Sequence, residues 1–183
     1  MNHFRLKLAA SGLLIGSLLT SSVMAEICPS FLDHQQSKLH STDTINLCDT
    51  AAGKPLLVVN TASHCGYTSQ FEGLEKLHKR YGPEGLVVVG FASDDFQQEA
   101  DSEEEAADIC FKNFGVTFTM IAPGPVTGHH ANPVFREINE QSNPPRWNFT
   151  KYVIDADGNV VRHFPSKVTP DDPALIEAVE SVL

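Results

Sequence analysis

From Pro55 onward the chain alternates short apolar runs with stretches whose apolar residues recur every three or four positions, which confines it to the α/β class. Pro55 to Asn60, rich in Val and Leu, has the pattern of a strand buried on both faces. A helix is predicted next, with Ser69 and Glu72 spaced as a capping box and Phe71, Leu74, Leu77 and Tyr81 on one face, stopped by Gly82-Pro83. Leu86 to Phe91 is a second buried strand. Ser102 and Glu105 are spaced as another capping box, and the acidic turn Glu103 to Glu105 suits the positive end of a helix running to about Asn113. Val116 to Ile121 is a third strand, and Asn132-Pro133 opens a helix through about Gln141. Lys151 to Ile154 and Val160 to Phe164 flank Asp155 to Asn159 as a hairpin, and Thr169-Pro170 starts a last helix with Leu175, Ile176, Val179 and Val182 inward. The two crossovers favour parallel pairing and the hairpin must be antiparallel, so a mixed central sheet flanked by helices is expected.

Residues 1–25 do not fit this pattern. Arg5 and Lys7 precede an apolar stretch from Leu8 to Leu19, and Val23-Met24-Ala25 ends in small-residue cleavage chemistry. At 1.5 Å per residue that stretch is too short for a hydrocarbon core of about 30 Å. A cleavable signal peptide is expected, leaving 26–183 as a single domain that is exported, to a bacterial periplasm or otherwise by secretion, with no membrane insertion after cleavage. A chain of 183 residues carries one core comfortably. With 13 Lys and Arg against 23 Asp and Glu, a formal charge of -10 and no basic cluster, it has nothing with which to neutralise phosphate backbones; nucleic-acid binding is excluded and anionic membrane surfaces are disfavoured.

Export alters the meaning of the four cysteines, since an oxidising compartment favours disulfides, yet four cysteines allow three pairings and spacing alone does not choose among them. Cys28 and Cys48 lie close together in a polar segment ahead of the first apolar run. A structural bridge between them is expected, closing a loop of about 20 residues and contributing roughly 3 kcal/mol in the chain-entropy model; two independent buried thiols are the alternative. Cys65 lies at the carboxyl end of the first strand, before a helix, where open α/β sheets place their ligands and where amide N–H groups and the helix dipole favour an anion. A lone cysteine is usually a small buried apolar residue. Here the polar turn Gly66, Tyr67, Thr68 and Ser69 favours a nucleophilic thiolate.

The run Val59-Asn60-Thr61-Ala62-Ser63-His64-Cys65-Gly66-Tyr67-Thr68 resembles the redox-site segment of the glutathione peroxidase family, as do Gly115-Val116-Thr117-Phe118 and Trp147-Asn148-Phe149-Thr150-Lys151. The likeness runs from about Gly53 to Leu183 in the expected order. It implies a thioredoxin-like fold and thiol-dependent reduction of hydrogen peroxide or organic hydroperoxides, with glutathione or a thioredoxin-like dithiol protein as reductant and with no metal, flavin or nucleotide cofactor. Family members carry selenocysteine or cysteine at the position of Cys65, and Trp147 and Asn148 match the tryptophan and asparagine of their site, whose N–H groups would hold a thiolate and a departing peroxide oxygen. Packing is the alternative for Trp147, and a glycan acceptor or turn residue for Asn148. Cys110 matches a cysteine that some members use to resolve the sulfenic acid; packing on its helix is the alternative, and joining Cys65 would need local unwinding, since disulfides require Cα atoms within about 7 Å. The family's glutamine is not matched in the same way: Asp95 stands where Asn-Gln-Phe is expected, followed by Gln97-Gln98-Glu99 with one residue fewer. Asp95 is expected to line the site, as a carboxylate opposing the thiolate or as a protonated donor, or else to face water with Gln97 swinging in. The short connection from Gln141 to Arg146 lacks the insertion associated with tetrameric members, which implies a monomer.

Weaker features surround these. His64 is adjacent to Cys65 and, on an extended segment, points away from it towards solvent. His129-His130 lacks companions for a zinc site. Eight carboxylates between Asp94 and Asp108, with no Lys or Arg among them, suit a solvated loop and helix start. A redox relay passing a disulfide to a partner protein, or a binding module without chemistry, remain the alternatives to a peroxidase.

Overall fold

The computed structural model describes Met1 and residues 28–183, so the expected signal peptide and its cleavage point lie outside the described residues. In chain order the elements are β1 (Gln35–Ser37), β2 (Thr44–Asn46), α1 (Cys48–Ala51), β3 (Leu56–Thr61), α2 (Gln70–Tyr81), β4 (Val87–Ala92), α3 (Glu103–Ala107), β5 (Thr119–Ile121), α4 (Pro133–Gln141), β6 (Lys151–Ile154), β7 (Val160–Phe164) and α5 (Pro173–Glu180). The main sheet has the order β5-β4-β3-β6-β7, with β3, β4 and β5 parallel and β6 and β7 antiparallel, as the crossovers and the hairpin require.

β3 is buried along its whole length because helices cover both faces, and its alternating side chains divide the core in two. Leu57 and Val59 enter one cluster with Phe71, Leu74 and Leu77 of α2 and Leu175 and Val179 of α5. Leu56 and Val58 enter the other with Val134, Phe135 and Ile138 of α4 and with Leu32, Leu47 and Ala51 of the N-terminal segment. Cys65 and Cys110 belong to the first face; Cys28 and Cys48 pack against the second.

Four local expectations change. Ser69 does not cap α2: its backbone is already helical and its side chain makes no cap bond, because a run of turns from Cys65 leads straight into the helix. α5 begins at Pro173, with Asp172 accepting from Ala174 N (2.8 Å), so the better cap and proline lie three residues beyond Thr169-Pro170. The third strand shortens to Thr119–Ile121, because Thr117 N and Oγ1 bond to the Glu75 carboxylate (2.8 and 2.5 Å) and Val116 N to Cys110 O (3.1 Å), which takes these residues off the ladder. Finally, the helix carrying Cys110 changes register after Ala107 into a π-helical turn, Asp108–Asn113. The hairpin β1–β2 and the single turn of α1 were not legible in a polar segment whose strands are three residues long.

Candidate active site

The site forms at the carboxyl end of β3, where three separate segments meet. Cys65 is 4% exposed, in the turn that joins β3 to α2. Asn60, at the end of β3, organises the segment from Trp147 to Thr150: its Nδ2 donates to Trp147 O (3.2 Å), its Oδ1 accepts from Thr150 N (3.1 Å), and its carbonyl accepts from Phe149 N (2.6 Å). Thr150 Oγ1 closes the turn onto Trp147 O (2.9 Å). Phe149 takes a left-handed backbone with φ of 61°, a conformation costing a non-glycine residue about 1 to 3 kcal/mol, and its buried ring meets Phe71 edge-on at 5.1 Å. That turn leaves Trp147 41% exposed, against Phe96 with ring centroids 5.5 Å apart, while the next side chain, Asn148, is wholly buried. Burial removes Asn148 as a glycan acceptor.

Asn148 Nδ2 donates to Gln98 Oε1 (3.2 Å), and Gln98 O accepts from His64 N (2.8 Å). One glutamine therefore links the Trp147-Asn148 turn to the residue beside Cys65. Asn148 Oδ1 is buried and has no hydrogen-bond partner among the described residues.

The glutamine at this junction is Gln98, and neither Asp95 nor Gln97 takes its place. Asp95 is exposed, and its Oδ2 accepts from Val126 N (2.9 Å), Thr127 N (2.7 Å) and Thr127 Oγ1 (2.7 Å), so its carboxylate clamps the 126–127 loop. Gln97 is exposed at φ of 56°, and its N–H closes a turn onto Asp94 O (2.9 Å). This left-handed step carries Gln98 back towards His64, so the shorter loop still delivers a glutamine, one position beyond the residue expected to swing in. The Gln97-Gln98-Glu99 run held the signal; the backbone conformation that selects Gln98 is not visible in side-chain pattern.

Glu99 follows, with Oε1 accepting from Ser63 N (3.2 Å), Ser63 Oγ and Ala100 N (2.8 Å). Burial, with Asp94 adding repulsion, holds its carboxyl above the ordinary carboxylate value against the lowering effect of these bonds. Cys110 is 3% exposed and free, as is Cys65. Burial pushes the Cys110 thiol up to about 12, with the Glu99 charge acting in the same direction. Cys110 lies in the π-helical turn, and such turns recur at functional sites.

His64 is exposed, as expected, and its Nε2 lies 3.3 Å from Glu105 Oε1, a half-exposed pair that solvent screens. The rings of His129 and His130 lie 4.0 Å apart, and among the described residues no group of three or more His, Cys, Asp or Glu is placed to hold a metal ion. Cys28 and Cys48 are bonded, with Cα atoms 5.7 Å apart.

The glutathione peroxidase family model matches residues 32–139. A glutathione peroxidase of Lactococcus lactis subsp. cremoris is 40% identical over 149 residues, spanning 78% of this chain and 94% of that protein. A glutathione peroxidase-like peroxiredoxin of Chlamydomonas reinhardtii is 40% identical over 137 residues, covering 72% of this chain and 83% of its own length. Among solved structures, a thiol:disulfide interchange protein of the thioredoxin family from Chlorobium tepidum superposes with a TM-score of 0.62 at 17% identity, over 81% of this chain and 92% of that one, which shows the thioredoxin-like fold alone. With a family model spanning more than half of it and a relative at 40% identity over nearly that relative's full length, the chain belongs to the glutathione peroxidase family and is a thiol peroxidase.

Proposed function

We propose that Cys65 is the thiol that attacks hydrogen peroxide or an organic hydroperoxide. The Cys65 thiolate bonds to one peroxide oxygen, the O–O bond breaks, and the leaving oxygen takes a proton to depart as alcohol or water, leaving Cys65 as sulfenic acid. Asn148 carries this reading most directly: it is fully buried beside Gln98 and Trp147, and its unpartnered oxygen suits the O–H of a hydroperoxide. Trp147 and Asn148 offer N–H donors as charge develops on the departing oxygen, and Gln98 orients the Asn148 amide. Asp95 acts at a distance, by holding the 126–127 loop.

Cys110 then condenses with the sulfenic acid, releasing water and forming a disulfide that a dithiol protein reduces; glutathione is the alternative reductant. The π-helical turn around Cys110 supports this reading, since such turns recur at functional sites. The N-terminal pattern and the Cys28–Cys48 bond support an exported protein, in a periplasm or secreted, and the short connection from Gln141 to Arg146 supports a monomer.

Peroxide consumption by the protein lacking residues 1–25, supplied in turn with glutathione and with a dithiol protein, is the test. Sustained turnover with the dithiol supports a peroxidase resolved by Cys110. Oxidation that stops after one equivalent would indicate a relay that hands its disulfide to a partner, and no oxidation at all would overturn the assignment.

A further inference from the structure

Among the described residues Lys151 is the one basic side chain in the core: it is wholly buried, and no carboxylate pairs with it. In register it lies between Val59 of β3 and Phe164 of β7, both members of the cluster that holds Cys65, so its side chain enters that face. Its Nζ donates to Ser166 O (3.3 Å) and Val168 O (2.5 Å). Those carbonyls belong to the turn after β7, which Val168 N closes onto Pro165 O (3.0 Å). Gln70, 5% exposed, donates from Nε2 to the same Ser166 O (2.7 Å), while its Oε1 has no hydrogen-bond partner among the described residues. One carbonyl is thus shared by the first residue of β6 and the first residue of α2. Each of these stands directly behind one half of the site. Gln70 N bonds to Tyr67 O (2.9 Å) and Thr68 N to Cys65 O (3.1 Å), so the start of α2 is continuous with the Cys65 turn. Lys151 follows Thr150, whose N and Oγ1 close the turn from Trp147 onto Asn60 Oδ1 and Trp147 O.

We propose that Lys151 is a positioning residue for the oxidation of Cys65: with Gln70 it ties the 165–168 turn across the starts of β6 and α2, and so fixes Trp147 and Asn148 relative to the Cys65 sulfur. This rests on the assignment of those three residues made above. A buried amine without an ion pair is unfavourable unless its N–H groups are bonded, and a methionine would fill the same space without that penalty. What lysine adds is donors for two carbonyls that have left water. Burial lowers its titration to about 7, and the ammonium and the free amine both keep at least two N–H groups for those carbonyls. Trp147 and Asn148 assist the reaction only when their N–H groups lie within hydrogen-bond reach of the departing oxygen. A shift of about 1 Å between the two segments is enough to cost on the order of 100-fold in rate. Asn60 holds the Trp147 turn from the side of β3, and Lys151 holds it from the side of β7 and α2.

The test compares two reactions of Cys65 in a Cys110→Ser background: oxidation by hydrogen peroxide, and alkylation by iodoacetamide, which needs the thiolate but no donor for a departing oxygen. The ratio of the two rate constants cancels any change in thiolate fraction. Lys151→Met is expected to lower that ratio by at least about 10-fold and to leave Trp147, the only tryptophan, more open to acrylamide quenching. Gln70→Leu is expected to lower it by about threefold or more. The double variant is expected to lose less than the product of the two single losses, since both side chains act on Ser166 O. A ratio within about twofold of the unaltered one in Lys151→Met, folded by circular dichroism, would overturn the proposal, because a purely stabilising lysine leaves the ratio where it was. Should Lys151→Met not fold, Gln70→Leu decides alone, and an unchanged ratio there overturns the proposal. Losses that simply multiply in the double variant would do the same. Failure of the underlying assignment looks different: Asn148→Ala would then leave the ratio unchanged, or the unaltered protein would trap no sulfenic acid on Cys65.

Discussion

Cys28 and Cys48 are joined on the face of the sheet covered by α4, while Cys65 and Cys110, both nearly inaccessible, remain thiols in the cluster beneath α2 and α5. The bonded pair ties down a segment of short strands and one helical turn that has little periodic structure of its own. The free pair sits among unusual backbone conformations: Phe149 left-handed beside the site, Gln97 left-handed in the loop that carries Gln98, and Cys110 in a π-helical turn. The contrast teaches that exposure is not what keeps a thiol free here: the free pair is the more deeply buried, and the bonded cysteines are only partly so. What differs is the company each keeps, a covalent partner in one case and, in the other, a strand end whose neighbours Ser63 and His64 are bonded to Glu99 and Gln98, with Gln98 holding the Asn148 amide.

The sharpest way to break this comparison is within the free pair. Cys65→Ser is expected to reduce peroxide consumption by more than about 10³-fold, since a hydroxyl supplies almost no anionic nucleophile near neutrality, whereas Cys110→Ser spares the first oxidation and removes dithiol-driven turnover by at least about 10-fold. Equal losses in the two variants, read by peroxide consumption and sulfenic acid trapping, would erase the distinction between their roles. A smaller effect is expected across the acidic loop: Gln98→Ala slows sulfenic acid formation by about 10-fold or more through loss of the Asn148 anchor, while Asp95→Ala lowers stability by about 1 to 2 kcal/mol and leaves the oxidation rate within about twofold. If Asp95→Ala slows oxidation more than Gln98→Ala does, the assignment of Gln98 to the junction is wrong. On the bonded side, replacing Cys28 and Cys48 together by alanine is expected to lower stability by about 3 kcal/mol in denaturant titration, with the oxidation rate within about twofold. A large loss of rate in a folded double variant would show that the N-terminal clamp reaches the opposite face.

Much of the fold was legible because strands and helices are written in local periodicity. β3 showed as an unbroken apolar run, α2 as a stripe ending at Gly82-Pro83, and the hairpin as two runs about a turn, since each pattern depends on residues a few positions apart. The placement of Cys65 at the mouth of the sheet follows from the same reasoning, as it needs only a strand end followed by a helix start. Capping was less secure: Ser102 capped α3 as its spacing suggested, with Glu105 N donating to its hydroxyl (3.2 Å), but the identical spacing at Ser69 failed because the preceding turn already entered the helix.

By itself, then, the sequence determined the α/β class, the strand and helix order, the position of Cys65 and the candidacy of Trp147 and Asn148. Tertiary structure alone decided which of three cysteine pairings forms, that Gln98 and not Asp95 meets Asn148, that Asp95 holds the 126–127 loop, and that Glu99 reaches back to Ser63. These contacts join residues 20 to 50 positions apart. They depend on single left-handed steps at Gln97 and Phe149, neither of them a glycine that would announce such a turn, so the side-chain pattern carries no trace of the conformation that brings the groups together.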